Sequence, residues 1–240
     1  MKEYSISAFF PAYRDEGTIK LMIDRLRKVL PKLTDDYEII IVDDCSPDKS
    51  GEIADKLSKK YKFIKVIHHS KNKGYGGALK TGFNTSTKNL VFYTDGDAQY
   101  DVRELSNLYR YIDKYDVITG NKIRRADKFY RIIVSKIYYE FIRFIFGIKV
   151  RDISGDFRLF KKYVLDKVKF ESNSGTICLE MMKKIQSAGF SIKEVPVHHY
   201  PRVSGESTYF NFMDIYDTFK EIIPLWWKLV VKRIFSTKRL

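Results

Sequence analysis

"VFYTDGDAQY", residues 91–100, decides the fold. It opens as an apolar, aromatic run of the kind that makes a buried strand and ends in two carboxylates, Asp95 and Asp97, one residue apart. Related runs stand at "YSISAFF" (4–10), which Pro11 is expected to stop, "YEIIIVDD" (37–44), "FIKVI" (63–67) and "YDVITG" (115–120). Helical spacing separates them. Ile19, Met22, Ile23, Leu26 and Leu30 form one apolar stripe, residues 51–60 a short helix, "NKGYGGALKTG" (72–82) a glycine-rich helix start, and Val102, Leu105, Leu108 and Ile112 another stripe. Strands that are apolar throughout need cover on both faces. The alternation therefore predicts an α/β fold with a mostly parallel central sheet and helices on both faces.

The second half changes character. Residues 121–151 carry a long helical pattern with Phe129, Ile132, Ile133, Ile137, Phe141, Phe144 and Ile148 on one broad stripe, accompanied by nine basic residues and two acidic ones, Asp127 and Glu140. That stripe suits core packing, a membrane interface or a dimer contact. Strands are expected again at 157–160 and 191–200, with a helix at 176–188 between them. Residues 208–235 read as one or two amphipathic helices, which divides the chain into a main domain, 1–207, and a C-terminal helical appendage, 208–240.

Composition narrows the partners. The 240 residues carry 44 Lys and Arg against 30 Asp and Glu, a formal +14, which favours anionic partners. No nucleic-acid motif accompanies the charge, so nucleic acid is not expected. The N-terminal "MKEYSISAFF" lacks the apolar core of a signal peptide, and a cytoplasmic location is expected. The stretch "IIPLWWKLVVKRIF" (222–235) is broken by Pro224, Lys228, Lys232 and Arg233, so no transmembrane helix is expected and the segment suits lying in an interface. Cys45 and Cys178 are too far apart in sequence to suggest a disulfide framework or a zinc site. The paired histidines His68–His69 and His198–His199 are read as structural, because neighbours on a strand point to opposite faces.

Ligands of an open parallel sheet bind outside the carboxyl ends of its strands. Here those ends read "PAYRDEG", "VDDCSPD", "HHSKNKGYGG" and "TDGDAQYD". The stretch from Pro11 to Gly17 contains only one glycine, so the dinucleotide fingerprint fails, and no glycine directly precedes Lys80-Thr81 as a Walker loop requires. Asp95 and Asp97 flank a glycine, and alternate residues of an extended chain point the same way. The pair can therefore meet one hard divalent cation, Mn2+ or Mg2+, which keeps coordination sites for phosphates. Taken alone, the same pattern also fits a solvated loop.

Six segments in order carry a resemblance: "FFPAYRDEGTI", "YEIIIVDDCSPD", "NKGYGGALKTG", "FYTDGDAQYD", "VRDISGDFRLF" and "EVPVHHYPRVSGEST". Over about residues 4–210 the chain resembles family 2 glycosyltransferases, most of all the polyprenyl-phosphate glycosyltransferases of the dolichyl-phosphate mannose synthase branch. The resemblance implies a GT-A (Rossmann-like) fold, a nucleotide-sugar donor and inversion at the sugar carbon. By position it implies a nucleotide-sugar site at Pro11, Tyr13, Glu16, Val42, Asp44, Gly96 and Lys122. Asp95, Asp97 and Gln99 match the metal and diphosphate group. Lys122, Arg131, Ser135 and Arg202 match the acceptor-phosphate site, and Asp95, Asp97, Arg131 and Arg202 are the implied catalytic set. The chain departs from the family pattern with Asp15 where Asn is frequent, Gly96 where Ala is usual, Lys122 where Arg is, and Thr208 where a cation often stands.

The implied reaction moves a hexose, mannose or glucose, from a GDP- or UDP-sugar to polyprenyl or dolichyl phosphate. It would occur at the cytoplasmic face of a membrane, with a homo-oligomer also possible. A lipid monophosphate has a second pKa of about 6 and is already a nucleophile at neutral pH, so no general base is required. If the acceptor is instead a sugar hydroxyl of a glycolipid or polysaccharide, a base is needed, and Asp152, Asp156 and Glu180 are the candidates.

Overall fold

In the computed structural model, residues 4–123, 129–202 and 220–232 are described, residues 129–135 by backbone alone. Seven strands form one sheet in the order β3-β2-β1-β4-β6-β5-β7. They are β1 (Ile6–Ala12), β2 (Tyr37–Asp43), β3 (Ile64–His68), β4 (Leu90–Thr94), β5 (Val117–Ile123), β6 (Phe157–Lys161) and β7 (Ile192–His198). All neighbouring pairs are parallel except those of β6, which runs antiparallel to both β4 and β5.

The apolar runs become strands because both sheet faces are covered. Alternation along β1 sends Ile6, Ala8 and Phe10 to one core and Phe9 to the other. The first core holds α1 (Ile19–Leu33), α2 (Ser50–Lys60) and α4 (Leu105–Tyr109) against the sheet. The second holds α3 (Gly74–Thr85), α5 (Phe129–Phe146), α6 (Lys162–Lys167) and α7 (Ile177–Ser187), together with Ile222 of the terminal helix. Phe9 stacks on Tyr93 at 5.6 Å, and Tyr93 stacks on Phe160 at 6.0 Å, so three strands share one aromatic column.

Three expectations are corrected. β1 runs through Pro11 to Ala12 instead of stopping before it. Its ladder with β4 ends at Phe9, so at Pro11 only β2 remains alongside, and the missing N–H disrupts nothing on the open side. The pattern over 121–151 is not one helix, since its first three residues finish β5 and the helix covers Phe129–Phe146. Gly147, at φ +61°, stops it: Ile148 N–H reaches back to the Arg143 carbonyl, a left-handed C-terminal cap. The expected stripe is also not the buried face: of its described side chains only Ile148 is buried, Ile137, Phe141 and Phe144 are exposed, and the helix packs inward through Ile142 and Phe146 instead.

The described part of the C-terminal appendage, 220–232, is helical, with a π turn over Trp227–Val231. Trp226 donates its indole N–H to the Ile145 carbonyl at 2.9 Å, and Glu221 accepts from Thr176 at 2.9 Å, so the helix packs on the end of α5 and on the segment before α7. The expected boundary at 207/208 lies outside the described residues. Among the described residues no helix is long and apolar enough to cross a membrane.

Candidate active site

The rim at the carboxyl ends of β1, β2 and β4 is built from tight turns. Arg14, Cys45 and Ala98, one after each strand, adopt φ values of 61°, 59° and 59°. Left-handed backbone at non-glycine residues costs on the order of 1–3 kcal/mol each and gathers at functional sites. The third turn carries Asp95, Gly96, Asp97 and Gln99.

Asp95 accepts a hydrogen bond from the Tyr75 hydroxyl on Oδ1 at 2.7 Å. Burial, then the neighbouring charges of Asp156 and Asp97, push its carboxyl well above the ordinary carboxylate range. Asp97, 8% exposed, is also raised, chiefly by burial. Its Oδ1 accepts the Gln99 N–H at 3.0 Å, and its Oδ2 lies 3.3 Å from Arg202. A pair of desolvated carboxylates with raised affinity for a positive charge fits a divalent cation, with Asp95 and Asp97 as holders and phosphates completing the shell. Among the described residues no group of three or more His, Cys, Asp or Glu forms a complete protein cage for a metal.

Arg202 is brought here by pairing across the sheet. Tyr100 bridges His199, Tyr200 N–H donates to the Gln99 carbonyl at 2.8 Å, and the Gln99 side-chain amide donates to the Tyr200 carbonyl at 3.0 Å. Arg202 Nε then donates to Gln99 Oε1 at 3.1 Å, so the oxygen expected to join the metal group is engaged by the guanidinium. Lys122, on β5, donates to the Ser154 carbonyl at 3.0 Å and its charge acts on both Asp95 and Asp97. The backbone of Arg131 and Ser135 lies in α5; their side chains are outside the described residues, as are Thr208 and the rest of the segment after Arg202.

The expected nucleotide residues surround the same rim. Tyr13 is 43% exposed with the Arg14 guanidinium 5.4 Å from its ring centre, and Glu16 accepts the Lys49 N–H at 3.0 Å. Asp44 is buried; its Oδ1 meets His69 Nδ1 at 2.6 Å and the Lys73 N–H at 2.8 Å. Val42 is corrected: its side chain is fully buried in the core with Phe9 and Leu79, so it supports the rim and does not line it. At Gly96 a Cβ would stand 2.6 Å from the Pro11 carbonyl oxygen and 3.0 Å from Asp15, so glycine there serves the close approach of the β1 turn. At the glycine-rich start of α3 the N–H groups of Gly76 and Gly77 are taken up by the Asn173 carbonyl at 2.8 and 3.3 Å.

Sequence reasoning missed the layer beneath. Arg158, fully buried, donates to the Tyr93 hydroxyl and the Ile153 carbonyl, both at 2.5 Å, and stands 4.0 Å from Asp156. Tyr93 and Cys178 both reach Asp156 Oδ1, at 3.2 and 3.0 Å. The signal was one basic residue inside the apolar run "FRLF". A separate cavity of about 490 Å³, lined by Lys167, Lys169, Lys184 and Lys228 among others, contains none of the site residues.

Residues 7–169 match the glycosyl transferase family 2 profile, and the chain belongs to that family. It is 29% identical over 239 residues to glycosyltransferase AglD of Haloferax volcanii, covering 95% of this chain and 38% of that protein. It is 27% identical to an undecaprenyl-phosphate 4-deoxy-4-formamido-L-arabinose transferase of Photorhabdus laumondii, over 91% of this chain and 66% of the other. Polyprenol monophosphomannose synthase of Mycolicibacterium smegmatis is 27% identical over 82% of this chain and 78% of its own. The chain thus spans well under the full length of the first two. Glucosyl-3-phosphoglycerate synthase from Mycobacterium tuberculosis superposes with a TM-score of 0.71 at 15% identity, covering 94% of this chain and 80% of that one. The mannosyltransferase PcManGT from Pyrobaculum calidifontis, solved with GDP-Man and Mn2+, gives 0.65 at 18% identity, over 85% and 58%. These likenesses establish the GT-A fold.

Asp15 supplies a test of the crowding. Burial, with a further contribution from Asp97, pushes its carboxyl up to about 6 from 3.8. A raised folded-state value means that the folded protein holds the proton more tightly, so this group favours folding most below pH 3.8 and loses that advantage as pH rises to about 6. Asp15→Asn removes the charge while keeping the shape. Denaturant melts are expected to show the variant stabilised by up to about 3 kcal/mol relative to wild type at pH 7.5, with the gain shrinking towards zero at pH 4. A gain independent of pH would contradict the assignment.

Proposed function

We propose that this chain is the catalytic region of an inverting, divalent-metal-dependent glycosyltransferase that moves a hexose from a GDP- or UDP-sugar to a polyprenyl phosphate. The observation that carries this reading is the under-neutralised pair Asp95 and Asp97 at the end of β4, flanked by Lys122 and Arg202. The names of the relatives support the lipid phosphate acceptor, and a solved neighbour that holds GDP-Man and Mn2+ supports the donor class and the cofactor.

Two anionic substrates must be brought together, and screening their repulsion is the main catalytic task. Asp95 and Asp97 would hold a divalent ion, which when bound would supply charge neutralisation to the leaving diphosphate. Pro11, Tyr13, Glu16 and Asp44 border the place for the nucleoside. Lys122 and Arg202 orient the acceptor phosphate, a task that the family resemblance also assigns to Arg131 and Ser135. Its oxygen forms the new bond to the anomeric carbon as the bond to the diphosphate breaks, and the electron pair leaves on the nucleotide. No proton needs to move, in accord with the dianionic state of a phosphate monoester.

The membrane surface is part of the proposal. Ile137, Phe141 and Phe144 on α5 are 66, 53 and 86% exposed, and Ile223 and Trp227 on the terminal helix 64 and 54%. Trp226 joins the two helices through Ile145. Apolar side chains with lysines at their flanks match an interfacial site.

The direct test incubates the protein with Mn2+, GDP- and UDP-hexoses, and either polyprenyl phosphate or a soluble sugar acceptor. Glycosylated lipid phosphate is expected with wild type, and a loss of at least about a hundredfold with Asp97→Ala. Transfer to a sugar hydroxyl alone would move the assignment to the other acceptor class. In vesicle co-sedimentation, replacing Phe141 and Phe144 by Asp is expected to weaken lipid binding by about tenfold or more, with turnover of a short-chain, water-soluble polyprenyl phosphate retained. Unchanged vesicle binding would remove α5 from the interface.

A further inference from the structure

Tyr75 does not figure in the sequence reading, yet its hydroxyl makes the one hydrogen bond to the Asp95 carboxylate among the described residues, on Oδ1 at 2.7 Å. The residue sits in the first turn of α3, and that turn is pinned by the segment that precedes α7. Asn173 accepts from Gly76 and Gly77 through its carbonyl, and its side-chain oxygen accepts from Lys80 at 2.6 Å. Lys80 also donates to the Glu171 carbonyl at 2.8 Å. The phenol ring packs against the core that contains Phe9, Tyr93 and Phe160. The donor is therefore fixed by packing on one side and by backbone hydrogen bonds on the other, while Asp95 Oδ2 has no hydrogen-bond partner among the described residues.

The Asp95 oxygen that accepts the phenol hydrogen bond has fewer lone pairs free than the other and is held in place by it, so the carboxylate offers Oδ2 first to a cation. Ca2+ takes 6–8 oxygens at roughly 2.3–2.6 Å and readily uses both oxygens of a carboxylate, whereas Mg2+ demands about six at roughly 2.0–2.1 Å and is bound by single oxygens plus phosphates and water. We propose that Tyr75 is a positioning residue that restricts Asp95 to one-oxygen ligation and thereby sets the preference of the site for small octahedral cations over Ca2+. The proposal rests on the glycosyltransferase reading in that Asp95 is taken as a cation holder. It adds the residue that decides which cation is held.

The experiment measures Mn2+ binding by electron paramagnetic resonance in the presence of GDP or UDP, and then its displacement by Ca2+, for wild type and Tyr75→Phe. Tyr75→Phe is expected to lower Mn2+ affinity by about tenfold, as loss of an outer partner of a metal ligand does, and to lower Ca2+ affinity less. The Mn2+-over-Ca2+ preference then narrows by about threefold or more. A residue with only a structural role weakens both ions alike, and an unchanged preference overturns the proposal. If Tyr75→Phe does not fold, 3-fluorotyrosine at position 75 keeps the shape: Mn2+ is expected to broaden its fluorine resonance and Mg2+ to leave it sharp, and a resonance untouched by Mn2+ also overturns the proposal. Wild type that binds no Mn2+ at all overturns both this proposal and the metal site itself, a result distinct from an intact site with an unaltered ion preference.

Discussion

Asp15, Asp95, Asp97 and Asp156 crowd one end of β4, and each of the first three is pushed towards its protonated form by burial and by another member of the group. Desolvated like charges are tolerated in a folded protein only where something positive arrives to offset them. Within the chain, Arg202 and Lys122 lower the carboxyl values of Asp97, and Arg158 lies under Asp156. These cations leave the pairwise repulsion only partly relieved. A site in that condition is prepared for a divalent ion and for the phosphates that accompany one.

The scaffold holds this arrangement with rigid parts. Tyr93 stands in the aromatic column of β1, β4 and β6, so the hydroxyl that touches Asp156 is set by core packing. The β1 turn closes over Gly96 with no room for a methyl group, and the pairing of residues 99–100 with 199–200 delivers Arg202 to Asp97. Side chains locked by packing and by outer hydrogen bonds keep catalytic geometry within narrow limits. The left-handed residues after three strands fit this picture, since each turn is anchored by the strand that enters it and the helix that follows it.

Much of this was legible in the sequence, and the reasons are local. Strand positions follow from apolar runs, helices from spacing, and the rim from the polar residues that end each strand. Asp95 and Asp97 stood out because their spacing is a property of one extended segment. The antiparallel direction of β6 was not legible, because direction depends on which neighbour a strand finds. Tyr75 and the Arg202–Gln99 contact escaped for the same reason: each joins residues far apart in the chain, and nothing in its immediate surroundings marks it, whereas Arg158 was marked only by its place inside an apolar run. The end of α5 was a missed signal, since Gly147 followed by Ile148 has the form of a helix stop.

In the proposed reaction the end of β4 takes up a divalent ion together with the diphosphate of a sugar nucleotide. A crystal grown with Mn2+ and GDP or UDP, measured at the manganese absorption edge, probes this uptake directly. An anomalous peak is expected within about 2.5 Å of oxygens of Asp97 or Asp95, shared with the diphosphate. A nucleotide bound elsewhere, with no anomalous density beside either carboxylate, would contradict it.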